Sequence, residues 1–204
     1  MKLKNLLLSL SAKHNAKVAM LHTAVDAGNY ERVEELLNQG VDADLENSSE
    51  QTALMGAVTK GHSRIVDLLL SRGAKINHAD EYGTTALGMA SRKRNVALMQ
   101  LLLEKTANVD GRDGLFGAPL IIAAEADSKE VVELLLSHNA NVNACPAKDG
   151  RTALHAAAYK GHKDLVALLL AKGADRHLRD TNGKTPGDYA SQKRNTEVVR
   201  MLST

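Results

Sequence analysis

The sequence predicts an all-α fold, an α-solenoid in which short antiparallel helix pairs stack on one another. Three observations predict it. Leucine triplets recur at a nearly constant interval, at residues 68–70, 101–103, 134–136 and 168–170. A similar tetrapeptide, such as TALM or TALH, begins at the same distance before each triplet. Aromatic residues are only 2% of the chain, so the core must consist of small and aliphatic side chains, which suit closely packed helices.

This recurrence divides the chain into seven segments. These are an N-terminal capping helix at 1–18, repeats at 19–51, 52–84, 85–117, 118–151 and 152–184, and a C-terminal capping repeat at 185–204. A stack exposes apolar surface at both ends unless a cap covers it, which predicts the two terminal segments as caps. The first is interpreted as a degenerate half-repeat, because 5-NLLLSLSAKHN-15 aligns with 67-DLLLSRGAKIN-77.

Within each repeat the pattern predicts a helix, a turn, a second helix and a loop, as residues 152–175 illustrate. Thr152 can cap the first helix with its hydroxyl. Gly161 can end that helix, because glycine adopts a left-handed conformation at little steric cost. Apolar residues between 165 and 170 have the three- and four-residue spacing of a buried helix face. A pair this short buries both helices only when it stacks on its neighbours.

These motifs identify a family resemblance. The segments 152-TALHAAAYKGHKDLVALLLAKGAD-175, 52-TALMGAVTKGHSRIVDLLLSRGAKIN-77 and 118-APLIIAAEADSKEVVELLLSHNANVN-143 resemble ankyrin repeats. The opening, the GH turn, the LLL and the GAxxN ending match in register over about residues 19–204. The resemblance implies antiparallel helix pairs with short β-hairpin fingers. It also implies a binding module whose contacts are made by the fingers and by the exposed, concave face of the first helices.

Some repeats depart from the pattern at two glycine positions. The turn glycine is replaced by Arg94, Asp127 and Arg194, and the finger glycine is replaced by Glu50 and Phe116. A bulky residue in a left-handed turn costs about 1 kcal/mol, which predicts that these turns are remodelled. The interval between the last two leucine triplets is longer than the others, which predicts a widened fourth finger near positions 145–148.

Composition and charge restrict the function. Charged residues are 25% of the chain and the net charge is +2, which argues against bulk nucleic-acid binding. The basic runs 90-ASRKRN-95 and 190-ASQKRN-195 occupy the same repeat position, a turn between helices, and a nuclear signal is the alternative.

No apolar stretch approaches the roughly 20 residues of a membrane span. We expect a cytoplasmic protein, or an exported one if residues 1–16 act as a signal.

The sequence contains no recognisable catalytic or metal-binding arrangement. Four of the eight histidines, at 22, 62, 155 and 162, occupy repeat positions, and none lies in a CxxC or HExxH setting. The single cysteine, Cys145, has no catalytic signature around it. The glycines of 111-GRDGLFG-117 lack the ending of a phosphate-binding loop. We therefore expect a protein that is not an enzyme and has no cofactor.

The binding residues are predicted by carrying the family's contact surface onto each repeat. We call the two residues before each turn between helices the pre-turn strip, which is rich in Lys and Arg. Hot spots favour aromatic residues and arginine. The predicted partner-binding residues are Lys60, Tyr82, Arg92, Lys93, Phe116, Tyr159, Lys160 and Lys193. These residues predict that the chain binds another protein, which presents an acidic segment to them. We expect the chain to be monomeric when it is alone. Nucleic-acid binding through the same strip is the alternative.

Overall fold

The computed structural model describes residues 2–111, 118–145 and 149–203, with side chains from residue 13 onward. Those ranges contain twelve α-helices, in agreement with the predicted all-α fold. The helices form two compact units, one ending at Glu81 and the other beginning at Tyr82. Each unit is built from the predicted helix pairs.

The first unit contains four helices. They are α1 (Lys2–Asp26), α2 (Tyr30–Asn38), α3 (Ala53–Lys60) and α4 (Ser63–Ser71). Helix α1 packs against α2 and α3, and α4 packs against the same two helices. Leu21, Val33 and Leu69 are fully buried in its core. An antiparallel bridge between Glu46 and Thr52 closes the first finger, so this finger is a hairpin with little regular strand.

The second unit contains two layers of helices. The first helices of its repeats are α5 (Ala86–Arg92), α7 (Pro119–Glu125), α9 (Ala153–Lys160) and α11 (Pro186–Gln192), and the second helices are α6 (Val96–Glu104), α8 (Lys129–Ser137), α10 (Lys163–Ala171) and α12 (Thr196–Ser203). Consecutive first helices pack on one another, and each first helix packs on the second helix of its own repeat. Met99, Leu135 and Leu154 are fully buried between the layers.

Helix α1 runs through the predicted boundary between cap and first repeat, at residues 18 and 19, without a break. The other first helices begin at that repeat position. Thr152, for example, accepts a hydrogen bond from the backbone N–H of His155 at 3.4 Å, and Pro119 begins the helix after Ala118. Residue 19 is an alanine, which has no side-chain acceptor, and no proline follows it. No capping signal therefore starts a new helix there.

The predicted remodelling of the bulky turns is wrong at the four positions that the structure describes; it stays a prediction at Phe116, which lies outside the described residues. Arg94 (φ 54°), Asp127 (φ 52°) and Arg194 (φ 59°) keep the left-handed conformation that Gly161 adopts at φ 79°. Glu50 does the same in the first finger, at φ 56°. At each helix end, backbone hydrogen bonds hold the turn; the N–H after Arg94, for example, donates to the carbonyl of Ala90 at 3.1 Å. These bonds and the packed helices on both sides outweigh the local cost.

The widened fourth finger stays a prediction, because residues 146–148 lie outside the described residues. Where neighbouring loops are described, a ladder of side chain to backbone hydrogen bonds links one repeat to the next. Asp44 accepts from the backbone N–H of Lys75 at 2.8 Å in the first unit. In the second unit Asn143 accepts from the backbone N–H of Asp175 at 2.8 Å. The acceptor sits at the final position of the GAxxN motif or at its equivalent, so the motif helps set the spacing between repeats.

Candidate functional site

Five of the predicted binding residues lie at the C-terminal ends of first helices in the second unit. Arg92 ends α5 and Lys93 follows it, Tyr159 and Lys160 end α9, and Lys193 follows α11. The four cations are exposed and Tyr159 is half-buried. Because these helices pack on one another, repetition of one position places the five residues along one edge of the unit.

The other three predicted residues are placed differently. Lys60 is exposed at the end of α3, in the first unit. Tyr82 is 44% exposed at the start of the second unit. Phe116 lies outside the described residues. Their part in binding stays a prediction.

Arg92 and Lys160 line one depression of about 290 Å³ on the second unit. Its other lining residues are Ile122, Glu125 and Ala126 of the intervening repeat. Ile122 is 7% exposed, so the depression has an apolar patch flanked by two cations and one carboxylate. Shallow apolar depressions with a few polar groups can accept a partner side chain.

The turn between α7 and α8, within the fourth repeat, carries a second acidic residue beside Glu125. Asp127 occupies the turn position that Arg94 and Arg194 occupy elsewhere, and its carboxylate lies 3.6 Å from Nδ1 of His162. Arg94 donates to the backbone carbonyl of Ala126. Positive charge in the second unit is therefore interrupted at the fourth repeat and resumes at the fifth and sixth.

Tyr159 and Lys193 are in direct contact. The ammonium of Lys193 lies 4.4 Å from the centre of the Tyr159 ring. A hydrogen bond from Lys193 to the phenolic oxygen, together with its positive charge, lowers the pKa of Tyr159 below its ordinary value of 10.0. Tyr159 and Lys193, which the sequence predicts as binding residues in different repeats, therefore contact each other in the structure.

Three further residues complete a group that the sequence prediction missed. Arg151 places its guanidinium 5.6 Å from the ring centre of Tyr159 and 4.9 Å from that of Tyr189. Lys184 lies 5.5 Å from the Tyr189 ring centre. The two tyrosine rings meet edge to face, with their centres 5.9 Å apart and an interplanar angle of 76°. We call Arg151, Tyr159, Lys184, Tyr189 and Lys193 the tyrosine–cation cluster.

The fifth finger orients Tyr189. Its hydroxyl donates to the carboxylate of Asp180 at 2.6 Å. The same carboxylate accepts from the backbone N–H groups of Lys184 at 2.8 Å and Asn182 at 2.9 Å. Burial alone would raise the pKa of Asp180, but these hydrogen bonds hold it at about 2. Asp180 therefore fixes both the finger and the tyrosine ring.

His155 anchors the same finger from beneath. The side chain is fully buried. Its Nδ1 accepts from the backbone N–H of Thr152 at 3.1 Å, and its Nε2–H donates to the carbonyl of Lys184 at 3.1 Å. These partners require the neutral imidazole, and burial lowers the pKa of His155 below its ordinary value of 6.5.

A comparison of repeat positions could have found the missed residues. Arg151 and Lys184 both stand immediately before the opening tetrapeptide, in consecutive repeats. Tyr189 is one of only four tyrosines, and it occupies the position of Ala156 and Ile122 in earlier repeats. Neither position belongs to the pre-turn strip or to the finger tips, where the sequence predicts the binding residues.

Two other kinds of site are absent from the described residues. In residues 2–111, 118–145 and 149–203, no group of three or more His, Cys, Asp or Glu side chains is arranged to hold a metal ion. Within the same ranges, no helix combines the length and the apolar character needed to cross a membrane.

The comparisons with known proteins agree with the repeat pattern. A family model for ankyrin repeats in three copies matches residues 21–113, 76–145 and 120–204. The probable E3 ubiquitin-protein ligase XBOS33 of Oryza sativa subsp. japonica is 51% identical over 49 residues. That match covers 24% of this chain and only 9% of the ligase.

Two solved structures share the fold over most of the chain. The ankyrin repeat protein EF0377 is 28% identical, with a TM-score of 0.79, over 92% of this chain and 98% of its own. A chain in the complex of the predatory endopeptidase Bd0816 from Bdellovibrio bacteriovorus with the immunity protein Bd3460 is 29% identical, with a TM-score of 0.77. The alignment covers 90% of this chain and 96% of that chain.

Proposed function

The chain belongs to the ankyrin-repeat family, whose repeats are protein–protein interaction modules, and we propose that it binds an acidic segment of a partner protein along the pre-turn strip of its second unit. The proposal gives the chain no catalytic role. In this proposal the free protein is a monomer and presents a preformed surface. The partner contributes the carboxylate-rich side, and the strip contributes cations and one aromatic side chain.

The observation that carries the proposal is the charge of the strip in the second unit. Its exposed cations are Arg92, Lys93, Lys160 and Lys193, against one acid, Glu125. The whole chain has a net charge of only +2, so this edge is more basic than the protein as a whole. Complementary charge speeds encounter with an acidic partner and makes binding sensitive to salt.

The helices beneath the strip favour tight recognition. Helix α9, which positions Tyr159 and Lys160, is buried from Ala153 to Ala158 with at most 2% exposure for its apolar residues. A side chain on such a fixed backbone loses little conformational freedom when a partner binds. The similar chain in the endopeptidase–immunity protein structure belongs to a complex of two proteins, which is consistent with a binding role.

The test compares charge reversal on the strip with the same reversal on the second helices. A chain carrying Arg92→Glu, Lys93→Glu and Lys160→Glu and a control carrying Lys129→Glu, Lys163→Glu and Lys172→Glu are immobilised beside the wild type. Each is checked by circular dichroism, and each is used to capture proteins from source-cell lysate. We expect a directly binding protein to be retained by the wild type and the control, lost by the strip variant, and released by high salt.

Two results would overturn the proposal. One is equal retention of every captured protein by the strip variant and the wild type. The other is capture that disappears after nuclease treatment, which would favour the nucleic-acid alternative. Light scattering of the purified chain tests whether the free protein is a monomer.

A further inference from the structure

We infer that the tyrosine–cation cluster is an anion subsite that takes one carboxylate or phosphate group of the bound protein segment. This inference rests on the proposed function. It adds a specific contact to the proposed binding surface, at residues other than those substituted in the test of that function. The cluster draws its cations from three places: Arg151 before α9, Lys184 before α11 and Lys193 after α11.

The cations of the cluster converge on two rings. Arg151 lies over both tyrosines, at 5.6 and 4.9 Å from their centres. Lys193 lies 4.4 Å from the Tyr159 centre and Lys184 lies 5.5 Å from the Tyr189 centre. A ring face attracts a cation but carries no net charge, so the tyrosines hold three positive charges together without neutralising them.

Within residues 13–111, 118–145 and 149–203, no carboxylate lies at ion-pair distance from the three cations of the cluster. Among the described residues, Arg151, Lys184 and Lys193 form no salt bridge, and Lys184 donates instead to the neutral amide of Gln192 at 3.3 Å. The nearby carboxylate of Asp180 is occupied by Tyr189 and two backbone N–H groups. Asp149 and Asp180 act electrostatically on Tyr189, and Asp188 acts on Lys184. An anion placed among the three cations would add the first ion pair at close distance within the described part of the cluster.

Arg151 also has an unused donor. Its Nε is buried and has no hydrogen-bond partner in the described part of the chain. Buried donors are nearly always paired. Arg151 Nε is one of four buried side-chain atoms without a partner in the described part of the chain, the others being in Thr52, His62 and Arg176, and it is the one that belongs to the cluster. The guanidinium of Arg151 lies near both rings, and its planar fork of N–H groups suits the two oxygens of a carboxylate or phosphate.

The geometry favours an acidic side chain over a nucleotide base. Single-stranded nucleic acids are held by bases that stack on exposed aromatic faces. Here each ring already carries two cations, and the edge of one ring meets the other ring at 76°. The cluster therefore offers positive charge and hydrogen-bond donors to a ligand. The faces of its rings, on which a base would stack, are already occupied by cations and by the other ring.

The test uses three capped peptides as probes and the full chain as receptor. The probes are hexaglutamate, hexaglutamine, and hexaglutamate with one central residue replaced by phosphoserine. Binding is followed by the NMR signals of the Arg151 Nε–H and of the Tyr159 and Tyr189 rings. We expect saturable shifts of these signals with the two acidic peptides and none with hexaglutamine. Tenfold tighter binding of the phosphopeptide would assign the site to phosphate, and equal binding would assign it to carboxylate.

The variant Arg151→Gln with Lys184→Gln removes two charges from the cluster. Its matched control, Arg64→Gln with Lys172→Gln, removes two charges elsewhere, including an arginine that lies 4.6 Å from the single ring of Tyr30. We expect at least a tenfold loss of hexaglutamate affinity in the first and less than a twofold change in the control. Arg151→Lys keeps the charge and serves as a second variant if the double substitution unfolds. We expect it to lose at least threefold, because lysine lacks the planar fork.

Unchanged affinity in both cluster variants, or saturable shifts confined to other residues, would overturn the inference. The lysate experiment separates it from the proposed function. A partner lost by the strip variant but retained by Arg151→Gln with Lys184→Gln supports the function and overturns the subsite. If the strip variant retains every captured protein as well as the wild type does, or if capture disappears after nuclease treatment, the proposed function fails and the peptide titration decides the subsite alone.

Discussion

The first and fifth repeats contain similar residues and use them differently. Both carry a histidine at the fourth position of the opening motif, His22 and His155, and in each the Nε2 lies 3.1 Å from a backbone carbonyl of its own finger. His155 is fully buried and shares a reciprocal capping arrangement with Thr152. His22 is half-buried within α1, where Ala19 replaces the threonine.

The aromatic contacts differ in the same way. Near the first repeat one arginine, Arg64, lies over one ring, that of Tyr30. At the fifth repeat the ring of Tyr159 meets a second ring and shares Arg151 with it. The difference shows that the fifth repeat gains its cluster from the repeat that follows, because Tyr189 comes from α11. Arginine and tyrosine thus form a single contact near the first repeat. At the fifth repeat the same residue types, together with lysine, form the tyrosine–cation cluster, the candidate anion subsite.

The largest expected difference between the two repeats is in the histidines. Replacing His155 by alanine should lower the free energy of unfolding by about 3 kcal/mol, because it leaves a cavity and strands the Thr152 N–H and the Lys184 carbonyl. His22→Ala should cost about 1 kcal/mol, since its bond is partly exposed. Urea denaturation followed by circular dichroism measures both. Equal losses would show that the capping arrangement of His155 adds nothing.

A smaller difference is expected between the residues that close the two fingers. Asp180→Ala should cost about 2 kcal/mol, because it removes the acceptor for two backbone N–H groups and the Tyr189 hydroxyl. Asn47 accepts the matching pair of N–H groups in the first finger, from Ser49 and Gln51. Asn47→Ala should cost about 1 kcal/mol. Combining Asp180→Ala with Tyr189→Phe isolates the hydroxyl bond, and strict additivity would contradict the contact.

The smallest expected effect is the response of stability to pH. Burial lowers the pKa of His155, against the Lys184 carbonyl and the Asp180 carboxylate, which raise it. As the pH falls through the ordinary value of 6.5, the unfolded chain therefore takes up a proton at His155 before the folded chain does, and stability is lost. The loss is limited because a protonated ring keeps its Nε2–H donor and gives up only the Nδ1 acceptor.

The pH response is measured as the change in unfolding free energy between pH 7.5 and 5.5, in the wild type and in His155→Gln. The other seven histidines are present in both chains, so the difference reports on residue 155. We expect the wild type to lose more. An equal loss in both chains would show that His155 keeps an ordinary pKa in the folded protein.

Much of the architecture could be read from local chemistry. Thr152 and Gly161 stand where α9 starts and stops, as expected for a capping hydroxyl and a left-handed glycine. The spacing of apolar residues predicted the second helices, including α10. The turn at Arg94 differs from the prediction, because the hydrogen bonds around this residue outweigh the local cost of its left-handed conformation.

The sequence by itself determined the period, the helix pairs and the position of the pre-turn strip, because each depends on residues within one repeat or on its regular recurrence. Only the tertiary structure decided that α1 runs through residue 19 and that Arg151 lies over both Tyr159 and Tyr189. Tyr189 stands more than a full repeat after Arg151 in the chain. The two meet because repeats stack, and stacking brings the position before one first helix against the next first helix, a contact that the period alone does not specify.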